Sequence, residues 1–137
     1  MAVDVGLTHV ALASTDISAS IVFYEKFAAM KPVHRRTDAE TGKEVVWLSD
    51  GTRPFVLVLI ENESPEPVLK PFAHLGVGCP SLDAVDTLCR LAKAEGILEV
   101  GPTQSGYPVG YWALISDPDG HSLEISYGQE VGLATAE

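Results

Sequence analysis

No stretch of this 137-residue chain approaches the about 20 consecutive apolar residues that a bilayer-spanning helix needs, which argues against a helical membrane protein. Basic residues are scarce. Nine Lys and Arg stand against 19 Asp and Glu, for a net charge of −10. A phosphate backbone would be repelled rather than neutralised by such a chain, so no nucleic-acid partner is expected. An acidic surface also disfavours docking on anionic lipid, so no membrane partner is expected. The densest cationic spot, His34-Arg35-Arg36, is soon followed by Asp38 and Glu40. Cysteine is limited to Cys79 and Cys89, which fit a reducing compartment as free thiols. Met1 to Val5 carry neither a charged leader nor a long apolar core, so the chain is expected to be cytoplasmic.

What the sequence does contain is a repeat. Leu7-Thr8-His9-Val10-Ala11-Leu12 aligns with Phe72-Ala73-His74-Leu75-Gly76-Val77, and the two histidines coincide at a separation of 65. Both segments alternate as half-buried strands do. Asp16 and Ser81 each stand one residue before an apolar-periodic stretch, where a side-chain oxygen caps free amides. Ile17, Ile21, Tyr24 and Phe27 or Ala28 mark the first helix. Leu82, Val85, Leu88, Cys89 and Ala92 mark the second, with Gly96 at its end.

Three strand-like runs follow each helix: Met30–Arg36, Lys43–Leu48 and Pro54–Ile60, then Leu98–Val100, Gly110–Ile115 and Ser122–Tyr127. Asp50-Gly51 and Asp117-Pro118-Asp119-Gly120 read as the turns before each final strand. The expected fold is α+β, a single domain of two tandem βαβββ modules forming curved mixed sheets, or an open barrel, with helices outside. Module one spans about 5–62, a Pro-rich linker (Pro65, Pro67, Pro71) about 63–71, and module two about 72–128.

Strand parity then places the chemistry. The bulky residues Val10, Leu12, Leu75 and Val77 face the helices, leaving His9 and His74 on the other face with small residues. Leu123 and Ile125 do the same on the last strand, which turns Glu124 between Ser122 and Ser126 toward that face. Two imidazoles and one carboxylate suit a single divalent ion, Fe, Mn, Zn or Ni, with positions left for substrate. Glu124 sits in an apolar strand with no adjacent basic residue, and a metal would supply the partner that a buried carboxylate requires.

Thr8-His9-Val10, Ser20-Ile21-Val22-Phe23-Tyr24, His74-Leu75-Gly76-Val77 and Asp117-Pro118-Asp119-Gly120-His121-Ser122-Leu123-Glu124-Ile125 resemble the vicinal oxygen chelate superfamily. That group includes glyoxalase I, extradiol dioxygenases, fosfomycin-resistance transferases, methylmalonyl-CoA epimerase and bleomycin-binding proteins. The resemblance covers Leu7–Tyr127 and implies that His9, His74 and Glu124 are metal ligands. It also implies a small-molecule substrate presenting two adjacent oxygens, and a homodimer, in keeping with the open edges that two four-stranded units would expose.

Departures from the resemblance narrow the activity. Glyoxalase I carries a fourth ligand, a glutamate on the last strand of the first copy. Val58 stands at the matching position here, and Glu61 lies beyond it on the opposite face. Extradiol enzymes and fosfomycin transferases use a tyrosine three residues before the aspartate of the DPxG turn, where this chain has Leu114. Arg90 and Lys93, both on the second helix, are the only cations offered by this half to a phosphonate. The expectation is therefore proton transfer of lyase or isomerase type with Glu124 as base. The alternatives are a metal-free antibiotic-binding resistance protein and a ring-cleaving dioxygenase. Tyr111, Tyr107 and His121 are candidates for further proton transfer, although His121, in a turn, also reads as solvated. Trp47, Trp112 and Phe55 shape pocket or core, and Val58, Leu114 and Trp112 are expected as apolar walls around a substrate without strong negative charge.

Overall fold

The computed structural model describes residues 6–131; Met1 to Val5, on which the leader argument rests, lie outside the described residues. The described residues form two compact units: those up to 68 with 118–120, and 69–117 with those from 121 onward. The boundary falls inside the proline-rich stretch expected as a linker. Each unit is a β-α-β-β-β module.

In the first unit, β1 (His9–Ser14) leads into α1 (Ile17–Ala28), followed by β2 (Lys31–Thr37), β3 (Glu44–Ser49) and β4 (Val56–Glu61). The sheet order is β1-β4-β3-β2. The β1–β4 pair is parallel and the other two pairs are antiparallel, so the sheet is mixed. The helix begins where expected: Asp16 is extended, and its side chain accepts from the Ala19 amide at 3.1 Å. It ends at Ala29, whose left-handed backbone (φ 54°) lets the cap close onto the Tyr24 carbonyl. Tyr24, Phe23 and Phe27 supply an aromatic cluster, with ring centroids 4.8 and 5.0 Å apart. They join Val46, Leu48, Leu57 and Leu59 in the buried core. Ser14 and Ser20, both fully buried, share a hydroxyl–hydroxyl hydrogen bond of 2.8 Å that ties β1 to α1.

In the second unit, β5 (Leu75–Gly78) leads into α2 (Leu82–Ala94), then β6 (Leu98–Gln104), β7 (Tyr111–Ser116) and β8 (Ser122–Tyr127). The order β5-β8-β7-β6 repeats that of the first sheet, again with one parallel pair. The Ser81 hydroxyl caps α2 by accepting from the Ala84 amide at 3.0 Å. Gly96, at φ +76°, ends it in a conformation that costs glycine little. This core is aliphatic: Val85, Cys89 and Ala92 from α2 are buried, as are Ala113, Ile115, Leu123 and Ile125 from the sheet. Leu82, expected on the apolar face, is exposed in the first turn.

Among the described residues the strands form two four-stranded sheets, one in each unit. One strand differs from expectation. β6 runs through Gly101-Pro102 to Gln104, with register shifts against β7 on both sides of Val100. These irregularities accommodate a proline, which has no amide to give the ladder. No described helix is long and apolar enough to cross a membrane.

Candidate functional site

In the second unit the register sets Gly76 beside Glu124 on one side and Leu114 on the other. Glu124 therefore lies on the face opposite α2, as parity requires, while its neighbours Leu123 and Ile125 are fully buried on the helix side. Gly76 leaves that face open, for even an added Cβ would only just meet Glu124, at 4.0 Å. His74 immediately precedes β5, and its Nε2 lies 3.2 Å from Glu124 Oε1. Its Nδ1 faces the carbonyl oxygens of Phe72 and Pro71 at 3.1 and 3.2 Å. Carbonyls only accept, so Nδ1 carries a hydrogen and donates. Nε2 is then left facing a carboxyl oxygen, a spacing that a shared proton or a metal between them would satisfy. The other carboxylate oxygen accepts from Gln129 Nε2 at 2.9 Å.

Both groups are thus oriented by outer hydrogen bonds in the manner of metal-ligating residues. A nitrogen and an oxygen donor suit a borderline divalent ion. Among the described residues, no three His, Cys, Asp or Glu side chains gather as one metal-holding group, so the second unit offers two such donors and no third.

Glu99 also belongs to this face and was not evident from the sequence. The bulge between Leu98 and Val100 re-aims its side chain, and its Oε1 accepts from the Ser122 hydroxyl at 2.8 Å. Its Oε2 is buried without a hydrogen-bond partner. Ser122 stands two residues before Glu124 on the same strand face. The bulge and the Ser122 separation leave no periodic signal for it.

Two other expectations need correcting. The Tyr111 hydroxyl donates to Asp86 Oδ1, on α2, so Tyr111 points to the helix side of the sheet and does not join Glu124. That bond to Asp86 pushes the Tyr111 pKa up to about 12, with desolvation adding to it. The phenol therefore locks β7 to α2. His121 is not solvated but 1% exposed. Its Nδ1 accepts from the Leu69 amide at 3.1 Å, and its own amide donates to Asp117 Oδ1 at 2.9 Å. It secures the turn and the incoming linker. Tyr107 is 85% exposed, in the loop between β6 and β7. Trp112 donates from Nε1 to Ser105 Oγ at 2.9 Å, and Leu114 is buried beside Glu124.

In the first unit, His9 stands opposite Val56 on β4, and its Nδ1 shares a hydrogen bond of 2.9 Å with Thr8 Oγ1. It lines a cavity of about 530 Å³ together with Trp47, Phe55 and Val58. Val58 therefore does occupy the site-facing position where a fourth ligand was sought. Glu61 does not line this cavity; it is exposed, and its Oε1 accepts from the Glu44 amide at 2.9 Å. Arg36 and Arg53 also line the cavity. The expected shortage of cations does not hold for this face.

Comparison with known proteins agrees with this architecture. Residues 6–125 match the family model described as the Glyoxalase/Bleomycin resistance protein/Dioxygenase superfamily. The chain belongs to this superfamily. An uncharacterized protein of Pseudomonas aeruginosa is 38% identical over 129 residues, covering 92% of this chain and 91% of its own length. Among solved structures, the fosfomycin resistance protein FosX from Listeria monocytogenes, complexed with Mn(II) and a sulfate ion, superposes with a TM-score of 0.70. It is 18% identical, covering 93% of this chain and 96% of FosX. TnmS3, an antibiotic-binding protein from a Streptomyces species, superposes with a TM-score of 0.64 at 20% identity, covering 93% and 98% of the two chains. At these identities the structural matches speak for the fold. The superfamily fold accounts for the paired modules.

Proposed function

We propose that this superfamily member is a small metal-dependent enzyme acting by proton transfer, of lyase or isomerase type, on a substrate with two adjacent oxygens. The observation that carries it is the His74–Glu124 pair: Nδ1 is committed to backbone carbonyls, and Nε2 lies 3.2 Å from a carboxylate oxygen. In this reading His74 and Glu124 hold a divalent ion, Fe, Mn, Zn or Ni, and His9 is the third ligand. When bound, such an ion supplies Lewis-acid polarisation of neighbouring substrate oxygens. Glu124 would accept through Oε1 a proton from the substrate carbon, the electron pair of the broken C–H bond passing to the neighbouring substrate oxygen, while Gln129 holds Oε2. Leu114, buried beside Glu124, supplies an apolar neighbour to that carboxylate. Tyr111, bonded to Asp86, has no part in the step.

The protein is proposed to act as a homodimer, because β1, β2, β5 and β6 are edges in the chain's own sheets, and in the cytoplasm, where the free thiols of Cys79 and Cys89 would persist. One preparation tests the reading: metal analysis of protein purified without chelator, with its mass measured by light scattering. About one divalent ion per chain is expected. His74→Ala and Glu124→Ala should lose it, and Glu61→Gln should keep it. A folded His74→Ala protein that retains the full complement would sink the metal assignment, and a monomer at micromolar concentration would sink the dimer.

A further inference from the structure

Arg36 and Arg53 are two of only nine Lys and Arg in a chain of net charge −10, and both line the cavity that contains His9. Neither forms an ion pair with any described carboxylate. Their polar contacts are to neutral groups: Arg36 Nη1 with His34 Nε2 at 3.0 Å, and Arg53 Nε donating to Thr52 Oγ1 at 3.1 Å. The residue before Arg36 on β2 provides the contrast. Arg35 points to the opposite strand face, where Glu44 binds it directly. The acidic groups nearest the cavity arginines, Asp38 beside Arg36 and Asp50 beside Arg53, feel the arginine charges without forming a direct ion pair, and their oxygens are held by local hydrogen bonds. Asp38 Oδ1 accepts from the Glu40 and Thr41 amides at 2.8 and 3.0 Å. Asp50 Oδ1 accepts from the Thr52 amide and hydroxyl at 2.9 and 2.6 Å.

The remainder of the cavity is apolar. Trp47 holds a fixed position through the His34 ring, with centroids 4.7 Å apart and planes at 54°, yet is 38% exposed and so presents a face to a ligand. Phe55 and Val58 continue that surface.

From these features we infer that the first unit's cavity recognises an oxyanion, carboxylate or phosphonate, on a small apolar or aromatic body, with Arg36 and Arg53 as its specificity-determining residues. The guanidinium fork matches both oxyanions bidentately, and the bond is strengthened by charge on both sides. The apolar wall holds the ligand's body. This rests on the proposed enzyme reading and deepens it by naming a substrate class, one that differs from the sequence expectation of a substrate without strong negative charge.

The test needs neither metal nor turnover. Trp47 and Trp112 are the two tryptophans of the chain, so Trp112→Phe leaves Trp47 as the sole indole reporter. Chelator-treated protein is titrated with benzoate, with phenylphosphonate, and with benzamide as the neutral counterpart of benzoate. At least one of the two anions should give a saturable change in Trp47 fluorescence, and the stronger of them identifies the preferred oxyanion. That affinity should fall as salt rises, and benzamide should bind at least tenfold more weakly than benzoate. Arg36→Gln and Arg53→Gln should each weaken the preferred anion at least tenfold, and the lysine variants should recover part of it. Benzamide binding as tightly as benzoate, glutamine variants with unchanged affinity, or failure of both anions to saturate would each overturn the inference. If the arginine variants do not fold, the salt and benzamide comparisons on the parent still decide it. Anion discrimination by a chain that binds no metal would remove the metal assignment and leave this inference standing.

Discussion

The two modules repeat the same strand order and nearly the same register, yet the faces opposite their helices carry opposite chemistry. The first presents Arg36, Arg53 and His9 against an apolar cavity; the second presents Glu124 and Glu99 with His74. The cores differ as well, one aromatic around Phe23, Tyr24 and Phe27, the other aliphatic around Ile115, Leu123 and Ile125. What the repeat preserves is the backbone solution: a capped helix over a mixed sheet. Side chains on the open face are released from that constraint, because they neither fill the core nor complete the ladder. A duplicated unit can therefore devote one copy to cationic recognition and the other to carboxylate chemistry.

The sharpest way to break the equivalence lies in the hairpins that follow the second strand of each unit. Gly42 and Gly110 both have positive φ, +72° and +83°. A Cβ on Gly42 meets nothing within 4 Å, whereas one on Gly110 would lie 2.5 Å from the Tyr127 carbonyl oxygen and 2.8 Å from the Gly128 carbonyl carbon. Backbone atoms cannot yield as a flexible side chain can. Gly42→Ala should cost only the left-handed penalty of about 1–2 kcal/mol. Gly110→Ala adds an overpacking strain of about 1–3 kcal/mol and should lose clearly more. Urea unfolding of both variants measures the gap; equal losses would mean that the second hairpin is as free as the first.

The helix caps should behave alike, which tests the shared part of the comparison. Asp16→Ala and Ser81→Ala each remove one capping acceptor, and each should cost about 1 kcal/mol in thermal or urea unfolding. A cap that costs nothing would separate the two helix starts.

The smallest effect at neutral pH belongs to a bond confined to the second unit. Tyr111 titrates near 12 in the folded chain instead of 10, chiefly because it donates to Asp86. A raised pKa means the folded state holds the proton more tightly. The bond's contribution is thus fully present below pH 10 and is lost as pH rises from 10 through 12. The stability difference between the parent and Tyr111→Phe should shrink across that window. A difference constant from pH 9 to 12 would show that the phenol's ionisation is not linked to folding.

Much of this was legible in the sequence, for physical reasons particular to each element. The two histidine-bearing strands announced themselves because a half-buried strand alternates, and Asp16 and Ser81 because a helix start needs an acceptor at one defined place. Parity alone put Glu124 on the face opposite Leu123 and Ile125. Beyond that, signals that depend on distant partners were silent. Arg36 and Arg53 belong to a strand and a loop, and only folding brings both to one cavity. Tyr111 finds Asp86 across a helix–sheet contact 25 residues apart, and His121 is buried because the linker backbone at Leu69 closes over it. Gly101-Pro102 read as the end of a strand, since proline gives no amide to a ladder, yet β6 passes through it by shifting register.

In both units the parallel pair joins the first strand to the last, His9 to Val56 and Leu75 to Leu123. The hairpins in between can zip locally, but this pairing must enclose about 47 residues in one unit and about 48 in the other. Closing so much chain costs entropy before any contact rewards it, and folding slows as contacts become less local. During synthesis β1 has no strand partner in its own sheet until β4 is made, and β5 waits in the same way for β8. Each module is therefore completed by its final strand, and the strand that carries Glu124 is the one whose arrival completes the second.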